Sequence, residues 1–432
     1  MESMKKILKQ YRQILNCVIL FLLLCAVFFL MTVNFSFIGK KSIHEDAKTY
    51  RTRHCLVFYP DSKTGYSEAK NLCKGVKDDR IYDYTLIPFG DYYMVSYGKD
   101  RKYFTDKQYQ SLIIDDLSQE GKKIAADYLR YSIKKEKPEL YYNAEYLSSL
   151  TADRLDFSKV TYELKEESLI CRFSEFDLDV SVPLRYLQKA LNMDFGYPQE
   201  LYRKPVYLDP DPEHPIICLT FDDGPYFWSE KKNTSSEQIV DLLYRYDASA
   251  TFYVVGYNLE NRDIWADHQV YMFLRNSINQ GNEYGSHTQN HPSSLRDLST
   301  YDEIREEIEG PIRFMDKMMD YEVKTYRPVG GEFNDDVLAA QPLPAILWDV
   351  DSEDWYSRDV QSICDRVLGY DYESGDIILF HDIYFETAEA LEKIVPELVN
   401  RGCQLVSVCD MLTYYGIDPA SISYFYSPGY YE

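Results

Sequence analysis

At 432 residues the chain exceeds what one ordinary hydrophobic core serves, so two folded domains with extensions are expected. A hydrophobic share of 45% against 27% charged residues excludes wholesale disorder. The formal net charge of −23 excludes nucleic acid, or another anionic polymer held by charge, as the main ligand.

Residues 1–13 carry Lys5, Lys6, Lys9 and Arg12 and precede an uncharged run, Ile14 to Val33, broken strongly only by Asn16. A helix of that length crosses roughly 30 Å of hydrocarbon. A cleaved leader would need a small-x-small site, which Met31-Thr32-Val33-Asn34-Phe35 lacks. The basic residues lie mainly before the run, so residues 1–13 are expected in the cytoplasm, 14–33 in the membrane, and a stalk at 34–54 outside. Of the nine cysteines, Cys17 and Cys25 fall in that span, and Cys55 and Cys73 are candidates to pair outside the cell.

Residues 55–195 mix two periodicities. Leu56-Val57-Phe58-Tyr59 and Tyr92 to Tyr97 are rich in β-branched and aromatic residues, as strands are, whereas Asp106 to Tyr131 shows helical spacing. Two extended runs within Val160 to Val182, separated by Lys165-Glu166-Glu167-Ser168, predict a hairpin. The region is expected to form an α+β accessory domain. Five prolines between Pro198 and Pro215 mark 196–214 as a semi-rigid linker.

Beyond the linker, apolar runs alternate with helical segments. Strands are expected at Ile216–Phe221, Ala250–Val255, Ala345–Trp348, Asp376–Phe380 and Leu405–Val408, and helices at Ser236–Tyr246, Asp302–Met319 and Thr387–Asn400. Such alternation implies an α/β sheet or barrel over 215–416, with its chemistry at the C-terminal ends of strands. A Tyr-rich tail, 417–432, closes the chain.

The chemistry-bearing residues fall at those ends. Asp222-Asp223-Gly224-Pro225 follows the first strand; adjacent side chains point apart, so the two carboxylates suit two different tasks. His287 and His291 stand four apart, the spacing that puts two metal ligands on one face of a helical turn. His381 follows another strand. Two His and one Asp leave positions open on a metal for water and a carbonyl, and a second Asp and third His supply the base and acid that amide hydrolysis needs.

These segments resemble the polysaccharide deacetylase family, the NodB-homology domain of carbohydrate esterase family 4. Thr220-Phe221-Asp222-Asp223-Gly224-Pro225 is similar to its first motif, which implies Asp222 as base and Asp223 as metal ligand. His287-Thr288-Gln289-Asn290-His291-Pro292 implies both histidines as the remaining ligands. Tyr326-Arg327-Pro328-Val329-Gly330-Gly331 implies that Arg327 holds the catalytic Asp and that the backbone N–H of Gly330, where the family often has Tyr, serves the oxyanion. Asp351-Ser352-Glu353-Asp354-Trp355 implies Asp354 as the tuner of the catalytic His and Trp355 as pocket wall. Ile378-Leu379-Phe380-His381-Asp382 implies His381 as general acid and Leu379 as pocket wall.

The resemblance implies a distorted (β/α) barrel that removes N-acetyl groups from a cell-surface polysaccharide, peptidoglycan N-acetylglucosamine first, with chitin oligomers, poly-N-acetylglucosamine and xylan as alternatives. It implies a divalent metal, zinc ahead of cobalt, nickel, iron or manganese. Residues after the span are weakly similar to the extra domain of some membrane-bound peptidoglycan deacetylases. Two other classes use the same residues: a non-catalytic glycan-binding scaffold, and a non-haem iron oxygenase built on two His and one carboxylate. The oxygenase leaves Asp222 and His381 without a task.

Overall fold

Before residue 117 the computed structural model describes five strands between 47 and 105 and two helical residues, 67 and 70; from 117 to 431 it describes all but 166–167, 189, 192–201, 227–233, 261–263 and 428–429. The expected span Ile14–Val33, its cytoplasmic stub, Cys73, and residues 106–116 of the expected helix lie outside the described residues. Among the described residues no helix is long and apolar enough to cross a membrane.

The chain divides into two compact units, Met1–Leu112 and Ile113–Glu432. In the first, β1 (Ala47–Arg51), β2 (Cys55–Pro60), β3 (Tyr82–Phe89), β4 (Tyr92–Tyr97) and β5 (Arg101–Thr105) lie side by side in chain order. β2 and β3 run parallel and the other neighbours antiparallel. β1 falls inside the segment expected to be stalk, and the strands expected at 56–59 and 92–97 correspond to β2 and β4.

The second unit opens on helix α1 (Gln119–Glu136), whose N-terminus is capped by Ser118 accepting from the Gly121 N–H. β6 (Val160–Lys165) and β7 (Ser168–Phe173) form the expected hairpin, and β8 (Leu178–Pro183) adds a third antiparallel strand. Leu169, Cys171 and Phe173 alternate with exposed or half-exposed neighbours, so one face of this small sheet is buried.

The division at 112/113 differs from the expected boundaries, 55–195 and 215–416, because a buried polar network ties the residues around α1 to Lys204, Tyr244 and Asp247. Arg130 is fully buried, pairs with Asp127 and donates to the Tyr244 carbonyl at 2.6 Å. Asp247 accepts from Tyr141 Oη at 2.8 Å and from Lys204 Nζ at 3.1 Å. Lys204 lies in the segment expected to be a linker.

Six parallel strands form the main sheet, β9 (Ile216–Asp222), β10 (Ala250–Val254), β11 (Glu283–Ser286), β13 (Val350–Asp351), β14 (Ile377–His381) and β15 (Gln404–Leu405), while β12 (Ala345–Ile346) pairs outside it. The order is β11-β10-β9-β14-β13, with β15 beside the start of β9. Every residue of β9 is buried, as its continuous apolar run requires of a strand covered on both faces. Isolated parallel bridges link Ser286 to Tyr326 and Tyr326 to Ala345.

Helices α2 (Ser235–Arg245), α3 (Ile264–Asn279), α4 (Tyr301–Met319) and α5 (Phe385–Asn400) supply crossovers. α2 and α4 both begin with capping boxes, Thr234 with Glu237 and Thr300 with Glu303.

Two expected strands are shorter than their apolar runs. Ala345–Trp348 yields only β12, because the carbonyls of Ile346 and Leu347 turn to the Arg327 guanidinium, at 2.9 Å each. Leu405–Val408 stops at Leu405, since Ser407 caps a helix beginning at Val408. The tail is structured as well: β16 (Tyr424–Ser427) pairs with β12 and β17 (Tyr430–Tyr431) with β16.

Candidate active site

A row of aromatic rings forms the floor beneath the strand ends. Phe380, Phe221, Phe252 and Tyr284 are in register across β14, β9, β10 and β11, with successive centroids 5.6, 4.9 and 5.5 Å apart and planes tilted by 20–22°. Each ring buries against its neighbour, and the next residue on two of these strands is Asp222 or His381. Those two are direct partners in the β9–β14 register, so two distant segments meet at one spot.

Asp222 is almost fully buried, and its Oδ1 accepts from Arg327 Nη1 at 2.9 Å. Arg327 is wholly buried, and its other donors go to Thr220 Oγ1, Ile346 O and Leu347 O. Its guanidinium also lies 4.4 Å from the centroid of Tyr253 and 5.4 Å from that of Trp348. A buried cation held by this many groups has one orientation and imposes it on the carboxylate. A role as a surface ion-pair partner is excluded for Arg327.

Asp223 leaves the strand with φ of 74°, and instead of pointing apart the two carboxylates converge on His287 Nε2, Asp222 Oδ2 at 3.6 Å and Asp223 Oδ1 at 3.5 Å. Asp223 Oδ1 also lies 3.2 Å from His291 Nε2. The ligand atoms of Asp223, His287 and His291 lie within 4.8 Å of one another, and Asp223 Oδ1 is buried without a hydrogen-bond partner among the described residues. His287 Nδ1 is 2.8 Å from the Arg327 carbonyl, an acceptor only, so that nitrogen carries the proton and Nε2 presents a lone pair to Asp223. A carboxylate oxygen and imidazole nitrogens converging in this way fit a divalent metal.

The helical turn expected to join His287 and His291 is absent. His287 follows β11, and the connecting loop has φ of 73° at Thr288 and 52° at His291. A loop with two left-handed residues brings the rings to a centroid separation of 5.2 Å. His287 is buried, whereas the His291 side chain is 42% exposed, so the trio faces solvent on the His291 side.

Burial pushes the Asp223 carboxyl up, but His291 and His287 outweigh it and hold it at about 2. His287 is lowered by burial, against the pull of Asp222 and Asp223; His291 is raised by its contact with Asp223. For His381 burial favours the neutral ring, yet Asp354 reverses this and brings it to about 9. Asp354 Oδ1 is 2.7 Å from His381 Nδ1, and Oδ2 accepts from the His381 N–H at 2.8 Å and from Thr387 Oγ1 at 2.7 Å.

The remaining expected residues surround this centre unevenly. Gly330 lies in a turn with φ of 63°, and its N–H makes no hydrogen bond among the described residues. Leu379 is buried in β14, while Trp355 is 51% exposed at the start of a short helix with its Nε1 3.5 Å from Asp351 Oδ2. Asp382 was not singled out in the sequence. Burial raises its carboxyl to about 7, Ser236 donates to it at 2.6 Å, and a Cβ on Gly224 would sit 2.1 Å from its Oδ1. Its signal was its place directly after His381 at a strand end.

Residues 209–343 match the family model for polysaccharide deacetylase. Over 207 residues the chain is 32% identical to a peptidoglycan-N-acetylglucosamine deacetylase of Bacillus cereus, covering 46% of this chain and 89% of that protein. The chain belongs to the polysaccharide deacetylase family. It is also 30% identical over 291 residues to the peptidoglycan-N-acetylmuramic acid deacetylase PdaC of Bacillus subtilis, covering 66% of this chain and 55% of PdaC; the chain thus spans little more than half of that relative's length. A solved structure of PdaC is 33% identical and covers 48% of this chain and 94% of its own, with a TM-score of 0.42. The matched family segment includes Asp222, Asp223, His287, His291, Arg327 and Gly330 but ends before Asp354 and His381, which only the fold brings back to the other residues.

Proposed function

We propose that this chain hydrolyses N-acetyl groups from a cell-wall polysaccharide, N-acetylglucosamine of peptidoglycan first, and releases acetate. The observation that carries the reading is one centre holding three convergent ligand atoms, flanked by a buried carboxylate fixed by an arginine and a histidine fixed by a carboxylate. A scaffold needs neither flanking pair. An oxygenase has no use for the acid and base.

Asp223, His287 and His291 would hold the metal, zinc ahead of cobalt, nickel, iron or manganese, which when bound polarises the acetyl carbonyl and acidifies water. Asp222 Oδ2 is 3.6 Å from His287 Nε2, close enough to take a proton from water arriving at the trio, while Arg327 fixes the other oxygen. His381, protonated and oriented through Nδ1 by Asp354, gives its Nε2 proton to the departing amine. The unengaged Gly330 N–H supplies a donor for the carbonyl oxygen as charge develops. Trp355 and Leu379 would border the acetyl group.

The curled sheet is read as a distorted barrel, supported by the bridges that continue from β11 through Tyr326 to β12 while β13, a few residues on, pairs with β14. Anchoring through residues 14–33 with the remainder outside the cytoplasm rests on the uncharged run and its basic flank.

Acetate release from isolated peptidoglycan and from chitin oligomers, after chelation and after adding back each metal, tests the reaction. Analysis of glucosamine against muramic acid in the product decides the sugar, since the name of PdaC specifies muramic acid. Absence of acetate from both polymers with all five metals overturns the deacetylase reading.

A further inference from the structure

A cavity of about 1070 Å³ lies at the other pole of this unit, lined by α1, the C-terminal ends of α2 and α3, and residues near 151–154, 185–188 and 202. In a parallel α/β sheet a crossover helix ends near the start of the next strand, so α2 and α3 bring their last residues to the N-terminal edge, opposite Asp222 and His287. A strand of five to seven residues separates the two edges by roughly 20 Å. The cavity is therefore distinct from the metal centre, and its size is that of a ligand site rather than a packing defect.

Its lining is unusual for so acidic a chain. Cationic side chains outnumber acidic ones five to four, against a net charge of −23 overall. Arg275 has no hydrogen-bond or ion-pair partner among the described residues. Beside it on α3 and just after, Asn276, Asn279 and Gln280 line the same cavity at helical spacing. Gln280 is only 4% exposed, yet among the described residues neither its Oε1 nor its Nε2 has a partner, and the buried Asn279 Oδ1 has none either. Buried amides without partners are costly, and several lining one cavity point to a ligand that satisfies them.

A primary amide offers a donor and an acceptor side by side, whose complement is another amide. A guanidinium without a partner selects a carboxylate. We propose that this cavity binds a ligand carrying amides together with a carboxylate, namely the peptide-bearing muramyl portion of a wall strand rather than a plain neutral glycan. Only the wall as ligand source is shared with the deacetylase reading; the site itself needs no metal and no turnover.

The test is calorimetric titration of the full chain, chelated so that no reaction occurs, with N-acetylmuramyl-L-alanyl-D-isoglutamine and, separately, with a chitin trimer. Saturable binding of the muramyl dipeptide, weakened about tenfold or more in Arg275→Glu, is the expected result. Acetate release from chitin oligomers stays unchanged in that variant. Arg275 makes no hydrogen bond or ion pair among the described residues that folding would lose, and Asn276→Ala provides a second variant expected to weaken binding. Binding of the dipeptide that neither variant alters overturns the proposal, as does absence of binding at millimolar ligand. Chitin trimer binding as tightly as the dipeptide, with equal sensitivity to Arg275→Glu, overturns the carboxylate requirement. Loss of acetate release in the parent chain would count against the deacetylase reading alone.

Discussion

Replacing Asp354 by Asn removes the negative charge beside His381 and leaves the shape nearly unchanged. In the parent chain the ring stands at about 9 although burial opposes protonation, against an ordinary value near 6.5. Without Asp354 only the charges of Asp222 and Asp223 oppose burial, and the ring falls well below about 9. At about 1.4 kcal/mol per pH unit the pair therefore stabilises the folded, protonated form by about 3 kcal/mol. A group raised on folding contributes this stability in full below pH 6.5 and loses it as pH rises through about 9. Urea unfolding of the metal-free protein should accordingly show a gap of about 3 kcal/mol between parent and Asp354→Asn at pH 6, narrowing from pH 6.5 and nearly closed by pH 9. In the metal-loaded enzyme the descending limb of kcat/KM against pH should move down in the variant, because the acid deprotonates earlier. A gap of equal size at pH 6 and pH 10, together with an unmoved limb, would refute the assignment.

Asp223→Ala, His287→Ala and His291→Ala should each lower the zinc retained after dialysis, measured by elemental analysis; a variant that keeps full metal is not missing a ligand. Asp222→Asn should keep its metal yet lose on the order of 100-fold or more in turnover, because the base and not the ligand set is removed. Arg327→Met strands a buried carboxylate and should cost about 3–5 kcal/mol in urea unfolding in addition to activity. Gly224→Ala should yield little folded protein, since its Cβ would lie 2.1 Å from Asp382 Oδ1, whereas Gly330→Ala, whose nearest neighbour is 3.8 Å away, should fold with a penalty of about 1 kcal/mol for its left-handed backbone. Circular dichroism and thermal melts separate the two.

The parallel strands were legible because burial on both faces leaves an unbroken apolar run, as in Ile216–Phe221. The residues proposed for catalysis stand where such runs stop, and that position is what the sequence displays. Contacts that no local pattern encodes were hidden. Ala345–Trp348 carries the composition of a strand, but the Arg327 guanidinium claims its carbonyls, and Arg327 is brought there by Tyr326 bridging Ser286 and Ala345. Likewise the spacing of His287 and His291 suggested a helix, while left-handed Thr288 and His291 deliver the same convergence from a loop. The boundary near 195–214 rested on proline content, a signal of stiffness that says nothing about Lys204 reaching Asp247.

The pairing of Arg130, Lys204 and Tyr141 with Asp247 bears on how a smaller enzyme could be made from this chain. A fragment starting at residue 215 would keep every side chain proposed for catalysis and lose all three of these partners of Asp247 at once. Asp247 would then face water on a surface shaped for cations. A fragment beginning ahead of α1 keeps all three partners, so about a hundred residues without proposed catalytic groups serve as a plinth for the rest of this unit.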